Sequence, residues 1–199
     1  MSPRIVTIVA LVLAAGSDAA ASPTSRDPLN APRGDYVLDK AHASLVARVG
    51  HMGFSHYTVR FDRISGQFAY DPAAWATTRA VITVDPASVS TGDPGFDRQI
   101  ASQFFDAAKY PQITFVSSAI DAHDGVGRID GDLTFHGVTK PVSLDVAFNG
   151  VGPGMLGVGV RLGFSGTAHI KRSDFGVTAA SPLVGDDVDL VIEAEFTRK

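Results

Sequence analysis

Residues 129–148 read IDGDLTFHGVTKPVSLDVAF, and this stretch decides the class of fold. Every second residue from 129 to 135, and again from 142 to 148, is apolar or glycine. Successive side chains of a β-strand point to opposite faces, so this period predicts two strands that each bury one face. His136-Gly137 stands between the two runs and predicts a turn that joins them.

The same alternation recurs on both sides of this stretch. Further strands are predicted at residues 44–51, 61–70, 80–84, 113–118, 158–166 and 188–196, the second with a bend near Ser65-Gly66. Residues 98–109 are the one stretch with helical spacing, and Tyr110-Pro111 is expected to end that helix. The chain is therefore predicted to be all-β, with eight antiparallel strands and one short helix. Such strands form a sandwich or a closed barrel, and periodicity does not distinguish the two.

The N-terminal residues have the pattern of an export signal. Arg4 precedes an apolar run at residues 5–15, and small residues at 19–21 supply a cleavage site before Ser22. A membrane anchor is the alternative, but the run is shorter than the roughly 20 apolar residues that span a bilayer. We therefore expect a signal peptide at residues 1–21, a flexible leader at 22–33 and a single domain at 34–199.

Composition excludes several classes of function. Hydrophobic residues make up 45% and charged residues 19% of the 199-residue chain, as in a protein with a packed core. The formal net charge of −4 leaves no basic surplus to neutralise a phosphate backbone, so no nucleic-acid partner is predicted. The chain has no cysteine, which excludes disulfides, thiolate metal sites and cysteine nucleophiles.

Two short motifs fit structural roles better than functional ones. GPGMLG at residues 152–157 matches the glycine pattern of dinucleotide-binding loops, but a strand-like run follows it rather than a helix. RGD at residues 33–35 lies at the edge of the predicted domain. The sequence has no hydrolase, calcium-loop or P-loop motif, so neither an enzyme activity nor a cofactor is predicted.

The histidines are the remaining candidates for chemistry. His42, His51 and His56 lie close together in the sequence, and His51 shares a strand face with Leu45 and Val49. His42 lies on the opposite face, which is poor spacing for metal chelation. We therefore expect structural, hydrogen-bonded histidines and no metal site, with contact between a histidine and a ligand as the alternative.

Several segments, taken in order, resemble the YceI-like family, which is often called polyisoprenoid-binding. They are YVLD (36–39), HAS (42–44), HMGFS (51–55), GQF (66–68), FFD (104–106), YPQITF (110–115), GDLTFHGVTKPV (131–142), RSDFG (172–176) and GDDVDL (185–190). The block at 131–142 is long enough to be specific, whereas each shorter segment would be weak alone. The resemblance covers nearly all of residues 34–199.

The resemblance implies an elongated, lipocalin-like antiparallel barrel with an apolar channel. Its expected content is a long-chain isoprenoid or another amphiphilic lipid. The resemblance also implies export to the bacterial periplasm, in agreement with the signal pattern, and secretion is the second choice. The family has no agreed catalytic residues, so none is assigned here.

Strand parity, meaning which residues of an alternating run share a face, indicates most of the residues that would line such a channel, and Phe54 is added from the loop after His51. They are Leu45, Ala47, Val49, His51, Phe54, Phe61, Phe68, Phe115, Leu133, Phe135, Leu162, Phe164, Leu190 and Ile192. At the position of Ala47 the family often has a bulky aromatic residue, so the alanine is expected to widen the channel locally or to alter its ligand.

Two other functions stay open. The first is a module that binds a membrane redox partner and fills its barrel with side chains, which predicts no internal cavity. The second is an enzyme that acts on a quinone or a lipid head group through His51 and a carboxylate, which predicts a converging polar cluster.

Overall fold

A computed structural model describes residues 24–199, so the expected signal peptide at 1–21 lies outside the described residues. Its strands are β1 (Gly34–His51), β2 (Ser55–Phe61), β3 (Ile64–Tyr70), β4 (Ala80–Val84), β5 (Val89–Ser90), β6 (Ile113–His123), β7 (Val126–Phe135), β8 (Val138–Pro153), β9 (Val160–Lys171) and β10 (Val184–Arg198). Its α-helix is α1 (Pro94–Gln103), and 3-10 turns occur at Pro28–Asn30, Trp75–Thr77, Pro86–Ser88, Met155–Gly157 and Arg172–Phe175. No helix among the described residues is long and apolar enough to cross a membrane.

Eight of these strands form a closed ring. In the part of the chain that the structure describes, the antiparallel ladder runs β1-β3-β4-β6-β7-β8-β9-β10 and then returns from β10 to β1. Pairing of Ala47 with Leu190, and of Leu38 with Phe196, joins the first strand to the last. Because the ring is closed, each of its strands is hydrogen-bonded to a neighbouring strand on both sides. The expected eight-stranded barrel is therefore confirmed over the sandwich.

The stretch at residues 129–148 lies in the hairpin of β7 and β8, where Thr134 pairs with Thr139. His136 and Gly137 form the turn, with φ angles of 51° and 78°. Positive φ at both central residues is the geometry of a type I′ turn, whose twist matches that of the flanking strands. The turn predicted between the two alternating runs is therefore confirmed.

The strand predicted at residues 61–70 is two strands, β2 and β3, which corrects the bend expected near Gly66. The break falls at Asp62-Arg63, whose amides donate to the carbonyl and hydroxyl oxygens of Ser88 at 3.0 Å. The 18-residue β1 is longer than either strand, so β2 pairs with its second half and β3 with its first. Gly66 instead serves packing, because a Cβ there would lie 2.5 Å from a β4 side chain.

Helix α1 begins and ends earlier than its predicted range of 98–109. Asp93 caps the N-terminus by accepting hydrogen bonds from two backbone amides, and Pro94 follows in the first turn, where an amide has no helical partner. Beyond the helix, Asp106 has a φ of 45° and redirects the chain. Apolar spacing missed this start because capping depends on a side-chain oxygen and not on an apolar face. The helix packs on the barrel through the buried Ile100.

Residues 24–33 cross one end of the barrel, and we call them the strap. Ser25 exchanges two backbone hydrogen bonds with Val151 at 2.8 Å. The hydroxyl groups of Tyr36 and Tyr70 donate to carbonyl oxygens of strap prolines at 2.7 and 2.8 Å. The segment expected to be a flexible leader is thus packed on the barrel over these residues. Its prolines supply the acceptors that buried tyrosine hydroxyls require.

Candidate functional site

The barrel contains a cavity of about 970 Å³. Every strand of the ring contributes to its wall, and most of the lining side chains are aliphatic or aromatic. This volume lies at the upper end of the range for pockets that hold small organic molecules. The interior is therefore not filled by its own side chains, and it has room for a long apolar molecule.

Most of the residues that strand parity assigned to a channel lie in the cavity wall. They are Leu45, Ala47, Val49, His51, Phe61, Phe68, Phe115, Leu133, Phe135, Leu162, Phe164, Leu190 and Ile192. The strand register explains why alternation predicted these wall residues correctly. Ala47 lies opposite Leu190 and Leu45 opposite Ile192, so the inward faces of β1 and β10 coincide. Contact of these residues with a ligand stays a prediction.

The assignment of Phe54 to the channel is wrong, because Phe54 lies outside the cavity wall and is 84% exposed. Met52 and Gly53 turn the chain there with φ angles of 51° and 73°, and the Phe54 amide donates to the carbonyl oxygen of His51 at 3.0 Å. Alternation holds only while the backbone is extended. In this turn the face of a side chain is set by the turn geometry instead.

The wall also contains residues that sequence reasoning missed. Helix α1 contributes Phe96 and Ile100, and strand β2 contributes Tyr57 and Val59. The signal for β2 was present, since Tyr57, Val59 and Phe61 alternate with polar residues. No local signal shows that α1 covers the interior, because the core cluster that contains both Ile100 and Phe61 joins distant parts of the sequence.

Aromatic side chains pack against one another near both ends of the cavity. Near the strap, the ring centroids of Phe68 and Phe196 are 4.9 Å apart, and those of Phe164 and Phe196 are 5.9 Å apart. Near the other end, the rings of Phe105 and Phe135 are 5.6 Å apart. Such edge-to-face pairs add about 0.5–1.5 kcal/mol beyond burial. The aromatic walls at both ends are therefore held by mutual contacts.

The tyrosines near the strap end are neutral hydrogen-bond donors. Desolvation by burial raises the pKa of Tyr36 and Tyr70 above the ordinary value of 10, so both hydroxyls stay protonated at neutral pH. Their hydrogen bonds go to carbonyl oxygens of the strap. Two carboxylates, Asp27 and Asp124, border the cavity at the same end.

Arg172 is a buried cation at the opposite end, where it borders the cavity. Its guanidinium donates to the carbonyl oxygens of Val177, Ala179, Val184 and Gly185 at 2.6–2.9 Å. A buried charge requires such compensation. These bonds fix the path of the chain between β9 and β10.

The histidines near the N-terminus of the domain have different surroundings. His51 borders the cavity, His42 is hydrogen-bonded to Asp39 at 2.9 Å, and His56 is exposed. Among residues 24–199, no group of three or more histidine, aspartate and glutamate side chains is arranged to hold a metal ion. Of these three histidines, His51 is the one placed to contact a molecule in the cavity.

These features define a class of protein: a closed antiparallel barrel whose interior is a cavity lined by apolar side chains. Comparison with known families then gives the particular one. The family model for the YceI-like domain matches residues 36–196, and the chain belongs to this family. The resemblance found in the sequence is thereby confirmed.

Three known proteins show how far this similarity extends. A UPF0312 protein of Vibrio cholerae is 38% identical over 170 residues, which cover 83% of this chain and 89% of the relative. The crystal structure of Burkholderia cenocepacia BcnA has a TM-score of 0.70 at 32% identity and covers 79% of this chain and 98% of its own. A polyisoprenoid binding domain from Saccharophagus degradans, implicated in plant cell wall breakdown, has a TM-score of 0.64 at 19% identity, with coverages of 82% and 98%. The last similarity concerns the fold alone.

Proposed function

We propose that this protein binds a long-chain isoprenoid, or a related amphiphilic lipid such as an isoprenoid quinone, inside its barrel. The proposed compartment is the bacterial periplasm, which the export pattern of residues 1–21 supports. The observation that carries the proposal is the apolar cavity of about 970 Å³. The Saccharophagus degradans domain adds support, because a barrel of similar fold is there a polyisoprenoid binding domain.

The hydrophobic effect supplies the affinity. Each methylene equivalent moved from water into an apolar site contributes about 0.8 kcal/mol. Ten such units would contribute roughly 8 kcal/mol, which corresponds to micromolar binding before the cost of ordering the chain. An apolar wall of this size therefore suits a ligand that carries several prenyl units and few polar groups.

The two other functions receive less support. A partner-binding module with a filled barrel predicts no cavity, and the volume of about 970 Å³ argues against that filling. An enzyme would need His51 beside a carboxylate, yet the described histidine–carboxylate contacts involve His42, His123 and His169. A membrane redox partner stays a prediction.

Mass spectrometry of an organic extract tests the proposal. Protein expressed with its own export signal and purified from the periplasm is expected to carry an isoprenoid lipid. The lipid-free protein should then take up added polyprenol. A protein that yields no lipid and binds no added polyprenol would contradict the proposal.

Ala47→Phe tests the cavity directly, because Ala47 is the smallest of the predicted inward residues of β1. A phenyl ring there fills space that the ligand would occupy, so bound lipid should fall several-fold while the lipid-free protein melts near the wild-type temperature. Val191→Phe on the exposed face of β10 is the matched control and should leave lipid content unchanged. Unchanged lipid with a lower melting temperature in Ala47→Phe would mean overpacking of a filled interior.

A further inference from the structure

Three large apolar side chains stand in solvent at the end of the barrel opposite the strap. Met52, Phe54 and Leu183 are 50%, 84% and 55% exposed, and we call them the rim. They come from the turn between β1 and β2 and from the loop before β10. The Met52 amide donates to the carbonyl oxygen of Leu183 at 2.7 Å, which holds the two segments together.

The rim is continuous with the interior of the barrel. Met52 and Leu183 border the cavity as well as the solvent. Beneath them, the four hydrogen bonds of Arg172 to backbone carbonyls fix the loop that carries Leu183. The apolar surface therefore extends from the cavity wall to the outside at this end.

Charge distinguishes this end from the other. Residues 50–55 and 177–185 contain no Asp, Glu, Lys or Arg, although these residues make up 19% of the chain. At the strap end the exposed Leu29 and Val126 also border the cavity, but the carboxylates of Asp27 and Asp124 border it beside them. Moving carboxylates into hydrocarbon is costly, whereas the rim can enter it without that cost.

We propose that the rim docks on the surface of a lipid bilayer and that lipid passes there between the bilayer and the cavity. This inference rests on the proposed function. A prenyl chain that crossed water would expose its full apolar surface, and a mouth seated in the bilayer avoids that exposure. The net charge of −4 and the absence of lysine and arginine from the two rim segments favour a zwitterionic surface over an anionic one.

Flotation with vesicles of phosphatidylcholine and phosphatidylethanolamine tests docking. The mature protein is expected to float with the vesicles, and the triple variant Met52→Ser, Phe54→Ser, Leu183→Ser should bind at least tenfold less. The matched control is Leu156→Ser, Val158→Ser in the turn between β8 and β9, at the strap end. Those side chains are 95% and 76% exposed but do not border the cavity, so their loss should change binding less than twofold. Circular dichroism and melting curves verify that each variant is folded.

Transfer of a fluorescent prenyl probe between donor and acceptor vesicles separates the two proposals. Phe54→Ser alone changes the rim residue that lies outside the cavity wall, so this variant should bind the probe in solution with wild-type affinity but transfer it several-fold more slowly. A wild-type protein that binds no probe would contradict the proposed function. Probe binding with a transfer rate independent of vesicle concentration would overturn the docking proposal alone. Loss of vesicle binding in the control variant, or rim-dependent pairing of two copies without vesicle binding, would also overturn it.

Discussion

The two ends of the barrel are built by different means. At the strap end, the tyrosine hydroxyls and the backbone bridge between Ser25 and Val151 fasten residues 24–33 across the strands, and two carboxylates border the cavity. At the rim end, Arg172 fixes the loop from within, and the exposed apolar side chains lie in segments that contain no Asp, Glu, Lys or Arg. The difference indicates that the strap end serves stability and the rim end serves contact with an apolar surface.

The largest expected effect compares one leucine from each end. Leu162 is buried in the cluster beneath the strap, so Leu162→Ala should lower the free energy of unfolding by about 2–5 kcal/mol. Leu183→Ala at the rim should lower it by less than about 0.5 kcal/mol, because the side chain is already largely in water. Denaturant melts measure both values. Equal losses would remove the distinction between the ends.

Arg172→Lys tests whether the hydrogen bonds of Arg172 hold the loop at the rim end in place. Lysine has three donors on one nitrogen and cannot reach the carbonyl oxygens that the planar guanidinium bonds from three nitrogens. Carbonyls left without partners in a buried site should destabilise the fold by about 2 kcal/mol. Hydrogen exchange should show the loss concentrated before β10. A global loss with unchanged exchange in that loop would count against the role assigned to Arg172.

Tyr70→Phe tests the fastening of the strap. The variant keeps the ring and removes the hydroxyl that donates to Pro28, so it should cost about 1 kcal/mol. Hydrogen exchange of the Ser25 amide, which donates a hydrogen bond to the carbonyl oxygen of Val151, should become faster than in the wild type. An unchanged exchange rate would show that the backbone bridge alone holds the strap.

The smallest expected effect is the pH dependence of stability that arises from titratable side chains on the outer face of the barrel, near the rim end. Hydrogen bonds to Asp189 and Asp187 raise the pKa of His169 above 6.5. Hydrogen bonds from Lys171 and His169 lower the pKa of Asp187 below 3.8. The histidine contribution to stability is complete below pH 6.5 and is lost as pH rises through the folded pKa, whereas the aspartate contribution is lost as pH falls below 3.8.

Melting temperatures measured between about pH 5 and about pH 8 check this effect. The wild type should lose slightly more stability over that range than His169→Gln, which keeps a polar side chain but does not titrate. Identical curves for the two proteins would mean that these exposed contacts contribute nothing measurable.

Much of the candidate site could be predicted because strand parity is a local property. Leu45, Ala47 and Val49 face inward as their spacing indicates, since each extended residue reverses the direction of the next side chain. Phe54 lies in the turn after β1, where positive φ angles interrupt the extended backbone, so alternation does not indicate the direction of its side chain. Parity is therefore informative up to the ends of a strand and not beyond them.

The sequence by itself determined most strands of the ring, the hairpin at residues 129–148 and the family, because alternation and the block at 131–142 are patterns of consecutive residues. Periodicity left barrel and sandwich open, and the family resemblance implied the barrel. Tertiary structure decided the closure itself, since closure depends on the pairing of β1 with β10 from opposite ends of the domain. It also decided that the strap is fastened and that α1 covers the interior. The volume of the cavity was also decided by the tertiary structure. It is the space that remains after side chains from every strand of the ring have packed, and no local sequence pattern encodes that volume.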